Sequence, residues 1–594
     1  MYQDFSTPSS PETGAPRLAA LRAALKAEKL DGFLIPRADA HMGENVSPRD
    51  ERLAWLTGFT GSDGHCAVLP DIAGVFVDGR YTLQVQNQID LAAFVPQAIP
   101  DDTLSDWLIT NMPQGGTVAY DPMLHSYDAI SKLESAVKPH GITLKQSHNM
   151  VDAIWDNQPA PPQGKIEPYP IAFAGVSSRE KRDDIAAKLN EAKLSAVVLT
   201  LPDSICWLLN IRGNDIAKTP VALAFAVVHA DGKMDLVVDP AKTGPELLEH
   251  LGSDVRITPP SDFAGLLAGL AGKVGVDRTS APIWISQQLK EPEWFTDPCI
   301  LPKACKNPVE LSGTRQAHMR DAAAMCEFLA WIDAGIDGLS EIDVVTKLEG
   351  FRRNTNALTD ISFDTICGTG PNGAIVHYRV DEASNRQIGR DTLLLVDSGG
   401  QYLDGTTDIT RTVIIGAADQ EMVRCFTLVL KGMISISRLR WPEGISGQHI
   451  DTLARAPLWA AGLDYKHGTG HGVGAYLSVH EGPARISRVS DVPLQTGMIL
   501  SNEPGYYREG AWGIRIENLL VVESPSAIDG GEIPMHSFDT ITWVPIDSRL
   551  INSTLLSLPE RDWLNLYHAQ VLDKIGPLVS PQTLRWLEAA CASI

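Results

Sequence analysis

The chain has 594 residues, 44% of them hydrophobic and 21% charged, the balance of a globular protein with several domains. Against 50 basic side chains stand 73 acidic ones, and the formal net charge of −23 argues against nucleic acid or an anionic membrane as partner. No apolar run reaches the ~18 residues of a membrane span, and the polar start MYQDFSTPSSPETG lacks the apolar stretch of a secretory signal.

Taken in order, the chain first shows an internal repeat. Residues 21–39 (LRAALKAEKLDGFLIPRAD) and 185–203 (IAAKLNEAKLSAVVLTLPD) each predict an amphipathic helix ending in Lys-Leu, a short buried strand and an Asp. A second pair follows, WLTGFTGSD at 55–63 and WLLNIRGND at 207–215. We therefore expect a duplicated α/β domain over 1–160 and 161–304, with the proline-rich 158–170 (QPAPPQGKIEPYP) as linker. A second break falls near 300–308, before a long helical pattern that ends at Gly335. From 305 to 535 the β-rich runs LLLVDSGGQYL, DITRTVIIG, GMILSNEPGYY and IRIENLLVVES alternate with helices, including one over 419–439. This predicts a mixed α+β core with antiparallel hairpins. Residues 536–594 form an extension with a helical tail, in which Ser580 caps a helix beginning at Pro581 and Trp563 and Trp586 pack against the body. The eight cysteines are scattered without a CxxC, as free thiols of a cytoplasmic protein would be.

Two glycine-rich stretches invite a phosphate-loop reading, CGTGPNG (367–373) and GHGVGA (470–475). Such a loop needs a helix opening directly after it. AIVHYRV after 373 predicts a strand, and YLSVHEGPARI after 475 has no helical period, so no dinucleotide site is expected. HGTGHGVG (467–474) cannot be a metal-binding helix either, because each glycine costs about 1 kcal/mol in a helix interior. In an extended chain, residues four apart lie about 13 Å from each other, so His467 and His471 cannot share one ion.

Carboxylates supply further ligands. Asp397 ends one apolar strand and Asp408 starts the next, opposite each other if the hairpin centres near 402–403. Glu503 and Glu517 face each other if their hairpin centres on Gly510. Charges amid LLLV and RIENLLVV are expensive to bury unpaired, although Arg515 beside Glu517 suggests a plain ion pair. Four acids and a histidine make an oxygen-rich site suited to Mn²⁺, with Zn²⁺ or Co²⁺ as substitutes, and they are enough for two ions.

The order DSGGQYLDGTTDITRT, HGTGHGVG, VHEGP, NEPGYY, GIRIEN resembles the pita-bread metallopeptidases, and within them the long, three-domain cytosolic type of Xaa-Pro aminopeptidase. The resemblance implies two creatinase-like N-terminal domains, a pita-bread catalytic domain and a short helical C-terminal extension. It also implies a metal set of Asp397, Asp408, His471, Glu503 and Glu517, with Asp408 and Glu517 bridging two ions. Asp397 would complete one ion's shell, and His471 with Glu503 the other's. His377, His467 and His480 would face the substrate. The implied reaction is hydrolysis of the N-terminal Xaa-Pro bond of short peptides by a hydroxide bridging two metals. Glu503 would take the water's proton, His480 would stabilise the tetrahedral intermediate and His377 would assist the leaving proline nitrogen. A homodimer is implied as well. Prolidase, acting on Xaa-Pro dipeptides, and an inactive binding module of the same fold are the alternatives.

Overall fold

The computed structural model describes every residue except Pro8 and Asp337. The chain forms two compact units. One runs to Cys299, and the other joins Met1–Thr7 to Ile300–Ile594.

The first unit holds two six-stranded sheets that repeat one topology. In the first, the order is Val95–Ala98, Ala73–Val77, His65–Val68, Gly32–Pro36, Gly116–Tyr120 and Ile142–Gln146. In the second it is Val255–Thr258, Met234–Val237, Phe225–His229, Ala196–Leu199, Val274–Val276 and Pro292–Trp294. The central strands Gly32–Pro36 and Ala196–Leu199 each pair antiparallel on one side and parallel on the other. The repeated WL motifs fall on the helices Arg52–Thr57 and Pro202–Leu209. Both helices end on a left-handed residue, Gly58 in one copy and Asn210 in the other, the two residue types that most readily adopt it. The proline-rich stretch closes with Glu167–Pro168, which pairs with Ile211–Arg212.

The second unit is built as two successive halves, each a pair of helices followed by antiparallel strands. Pro308–Asp333 and Glu341–Arg353 precede the sheet Ile366–Thr369, Thr392–Ser398, Ile409–Ile415. Gln420–Ser437 and Gly447–Trp459 precede a six-stranded sheet that includes Gly470–Gly472, Ile499–Asn502 and Asn518–Val522. The expected long helix has its N-cap at Asn307, whose side chain accepts from the amides of Val309 and Glu310. One apolar core joins the helices and strands of both halves to Leu564, Tyr567, Val571, Ile575 and Leu587 of the C-terminal helices. Trp563 and Trp586 pack at its edge, and Ser580 caps Pro581–Ala590 as its sequence predicts.

Two readings need correction. AIVHYRV forms no strand: a 3₁₀ turn, Gly370–Ala374, leads into irregular chain through His377. The hairpin bearing Asp397 and Asp408 centres between Leu403 and Asp404, because Asp397 pairs with Thr410. Asp408 therefore precedes the strand Ile409–Ile415 and does not sit opposite Asp397. The physical reason is the tight Leu403–Asp404 turn, in which Tyr402 pairs directly with Gly405. None of the eight cysteines is in a disulfide.

Candidate metal centre

Two sheet edges meet at the carboxylates. The Glu517 amide donates to the Thr410 carbonyl (3.1 Å), and the Arg515 amide donates to Thr412 Oγ1 (3.1 Å). This seam brings the end of the Asp397 hairpin against the Glu503–Glu517 hairpin. The latter has the register read from sequence: Asn502 pairs with Asn518 and Gly505 with Arg515, about a turn at Gly510, whose φ is +70°. Glycine suits that left-handed turn.

The histidine arrives on Gly470–Gly472, a short strand with a register shift after His471. The glycines flanking His471 permit close approach. A Cβ on Gly470 would lie 1.9 Å from the Ser501 carbonyl oxygen, and one on Gly472 would lie 2.2 Å from that of Glu481. Neither has positive φ, so the missing side chain, not left-handed backbone, is what the site requires. The ring then reaches inward, its Nε2 3.4 Å from Asp408 Oδ2 and 3.5 Å from Glu503 Oε1. Its Nδ1 donates to the Gly472 carbonyl (2.9 Å), which leaves Nε2 as the lone-pair face of the neutral ring.

Asp408, His471 and Glu517 each offer a ligand atom, all within 4.8 Å of one another. Glu503 joins through His471, and its amide donates to Thr469 O (2.8 Å). Asp397 joins through Arg515, whose Nη2 donates to Oδ2 (2.6 Å). The plain Arg515–Glu517 ion pair, the alternative to a ligand role for Glu517, is not seen: Glu517 Oε2 instead accepts from Thr410 Oγ1 (2.8 Å). Arg515 also donates through Nη1 to Tyr507 OH (2.7 Å) and to Val376 O (3.4 Å), next to His377. Tyr507 OH lies 2.9 Å from His467 Nε2, whose Nδ1 donates to Gly468 O. The ring of His480 stands edge-on to that of His471, centroids 4.3 Å apart. His467 is thus tied to Tyr507, while His471 meets the carboxylates.

Four carboxylates lie together here, and the Arg515 guanidinium hydrogen-bonds one of them, Asp397. Burial, reinforced by Asp408, Glu503 and Asp397, pushes Glu517 well above the usual carboxylate range. Burial pushes Asp397 up too, against the opposing pull of Arg515. It raises Glu503 to about 7, although His471 and Arg515 resist. Burial alone would lower His471, but its contact with Asp408 and the charge of Glu503 lift it to about 9. Such a set holds protons where a cation is missing. Asp397 Oδ1 and Glu517 Oε1 are buried without a hydrogen-bond partner, which fits ligand atoms for divalent ions.

Residues 312–524 match the metallopeptidase family M24. Creatinase/prolidase N-terminal domains match at 17–154 and 157–310, and the C-terminal region of peptidase M24 at 534–594. Aminopeptidase P2 of Arabidopsis thaliana is 38% identical, over 94% of this chain and 85% of its own. A probable Xaa-Pro aminopeptidase P of Neosartorya fischeri is also 38% identical, over 97% and 92%. The chain belongs to metallopeptidase family M24. Among solved structures, the X-prolyl aminopeptidase of Caenorhabditis elegans, described as a cytosolic enzyme with a di-nuclear active site, superposes with a TM-score of 0.94. It is 33% identical and covers 98% of this chain and 100% of its own. The prolidase of Pyrococcus horikoshii shares the fold over only 62% of this chain, at a TM-score of 0.50 and 22% identity.

For this M24 chain, sequence reasoning missed Tyr507, Thr410 and Ser501. Ser501 Oγ accepts from the His471 amide (2.9 Å) and donates to Glu503 Oε1 (3.2 Å). Their sequence signal is slight: Thr410 and Ser501 each lie two positions from a site carboxylate, and Tyr507 lies four from Glu503.

Proposed function

We propose that the protein is a metal-dependent aminopeptidase that hydrolyses the N-terminal Xaa-Pro bond of short peptides. The observation that carries this reading is the buried cluster of Asp408, His471 and Glu517, with partnerless oxygens on Asp397 and Glu517, in a chain that superposes end to end on an X-prolyl aminopeptidase. Asp408 and Glu517 would be shared by two divalent ions, with Asp397 on one and His471 and Glu503 on the other. Mn²⁺ is our choice for a set dominated by carboxylates. When bound, the ions supply Lewis acidity toward a carbonyl oxygen and lower the pKa of water.

The rest is done by the chain itself. A Glu503 oxygen receives the proton of the attacking water, a role suited to a carboxylate held beside His471 at the metal set. His480, packed on His471, donates a hydrogen bond to the oxygen that becomes negative as the carbonyl carbon turns tetrahedral. His377, on the loop that Arg515 holds through Val376 O, delivers a proton to the proline nitrogen. That nitrogen carries no hydrogen in the peptide, so its departure depends on a proton from outside. His467, oriented by Tyr507, lines the proline side of the site.

We read the segments 1–160, 161–304, 305–535 and 536–594 as two access-limiting domains, the catalytic domain and its extension. The homodimer and the cytoplasmic location belong to the same reading. The description of the Caenorhabditis elegans neighbour as cytosolic and the lack of a disulfide among the eight cysteines support the latter. The test compares an Xaa-Pro-Pro tripeptide with an Xaa-Pro dipeptide as substrates. The tripeptide should be cleaved far faster, and preference for the dipeptide would replace this reading with a prolidase.

A further inference from the structure

His377 sits in the least regular part of the catalytic unit. After the 3₁₀ turn Gly370–Ala374, residues 375–391 contribute no helix or strand, only turns and a bridge of Gln387 to Ser340. A proton donor must nevertheless be held to within a few tenths of an ångström of its target. The structure therefore needs a device that fixes this loop.

That device is visible on the helix Glu341–Arg353. Glu341, its first residue, is fully buried. Its Oε1 accepts from the Thr369 amide (2.8 Å) and its Oε2 from the Arg386 amide (3.0 Å) and Tyr378 OH (2.9 Å). Asn372 Nδ2 reaches both oxygens, at 3.1 and 2.9 Å, and also Tyr378 OH (2.8 Å). The Glu341 amide in turn donates to the Arg386 carbonyl (3.0 Å). One carboxylate thus gathers residues 369, 372, 378 and 386, which bracket His377 on both sides.

None of these partners carries a charge. A carboxylate buried without a cation is costly, and an apolar residue would pack the same volume without that cost. Only a carboxylate offers about four acceptor sites in one plane, and the positive end of the helix helps to hold it. We propose that Glu341 is a positioning residue, the knot that holds the loop presenting His377 to the substrate. The inference rests on the substrate-facing role proposed for His377.

Full-length, Mn²⁺-loaded Glu341→Gln and Tyr378→Phe test it, with metal content, kcat, KM and hydrogen exchange over 366–388 as readouts. The second variant keeps the buried ring and removes only the hydroxyl, so it preserves the test if the first fails to fold. Expected are metal content unchanged, KM within about threefold, faster exchange in the loop, and kcat lower by about ten- to a hundredfold, the cost of a misplacement of order 1 Å. Wild-type exchange in these variants would overturn the knot. Wild-type kcat beside faster exchange would overturn its link to catalysis, provided His377→Ala is impaired. Full activity in His377→Ala would instead remove the histidine's role, on which the inference rests.

Discussion

Loading the metal-free protein with Mn²⁺ should release protons, and the number should depend steeply on pH. Glu503 is raised to about 7 and His471 to about 9, and both must lose their protons to bind an ion. At about pH 6.5 Glu503 is roughly three-quarters protonated and His471 almost wholly so, which gives about two protons released. Glu517 and Asp397, shifted in the same direction, can only add to this. At about pH 9.5 Glu503 contributes nothing and His471 about a quarter of a proton. The stability of the metal-free protein follows the same logic. Both groups bind protons more tightly folded than unfolded, so their contribution is fullest at low pH. It falls as pH rises from 4.5 through about 7 for Glu503, and from 6.5 through about 9 for His471. A shift from 4.5 to about 7 is worth about 3 kcal/mol on that scale. Titration calorimetry in buffers of different ionisation enthalpy counts the protons, and urea unfolding against pH reads the stability. Proton release near zero at pH 6.5, or independent of pH, would refute the cluster as a protonated ligand set.

Further outcomes follow from individual residues. Glu517→Gln should lower bound Mn²⁺ from two equivalents to one or fewer and abolish turnover, read by elemental analysis beside activity; two retained equivalents would remove Glu517 as a bridge. His480→Ala should retain both ions and lose about 10²- to 10⁴-fold in kcat, as expected for a lost hydrogen-bond donor, whereas His467→Ala should retain both ions and raise KM for the proline peptide. Arg515→Met removes the guanidinium paired with buried Asp397 and should destabilise the protein by about 3–5 kcal/mol in urea unfolding, more in the metal-free form. Gly470→Ala puts a methyl 1.9 Å from Ser501 O and should cost both folding yield and metal affinity, while Gly468→Ala, with 3.5 Å to its nearest neighbour, should be mild.

Much of this site was legible in the residues. Glu503 and Glu517 lie symmetrically about a glycine turn, so a strand period of two puts them together, and the structure has that register. The duplication was legible because helix, strand and left-handed cap recur in order, Gly58 answering Asn210. The Asp397–Asp408 register was misread because nothing local marks the Leu403–Asp404 turn: Tyr402 pairs with Gly405, which moves the centre by one residue and the partner of Asp397 by two. AIVHYRV is apolar and β-branched like a strand, yet long-range ties to Glu341 and Arg515 override that propensity. The Arg515–Asp397 pair spans 118 residues, and no spacing rule reaches that far. In HGTGHGVG the contacts of Gly470 and Gly472 show that room for a neighbouring strand, not left-handed backbone, is what glycine supplies.

The most direct test of the account is single: the full-length chain, stripped of metal, is given Mn²⁺ in measured steps while release of the first residue from an Xaa-Pro-Pro peptide is followed against an Xaa-Ala-Pro control. The account predicts no turnover without metal, full activity at two equivalents per chain and strong preference for the proline peptide. Activity that persists without metal, saturates with no bound ion, or treats both peptides alike would contradict it.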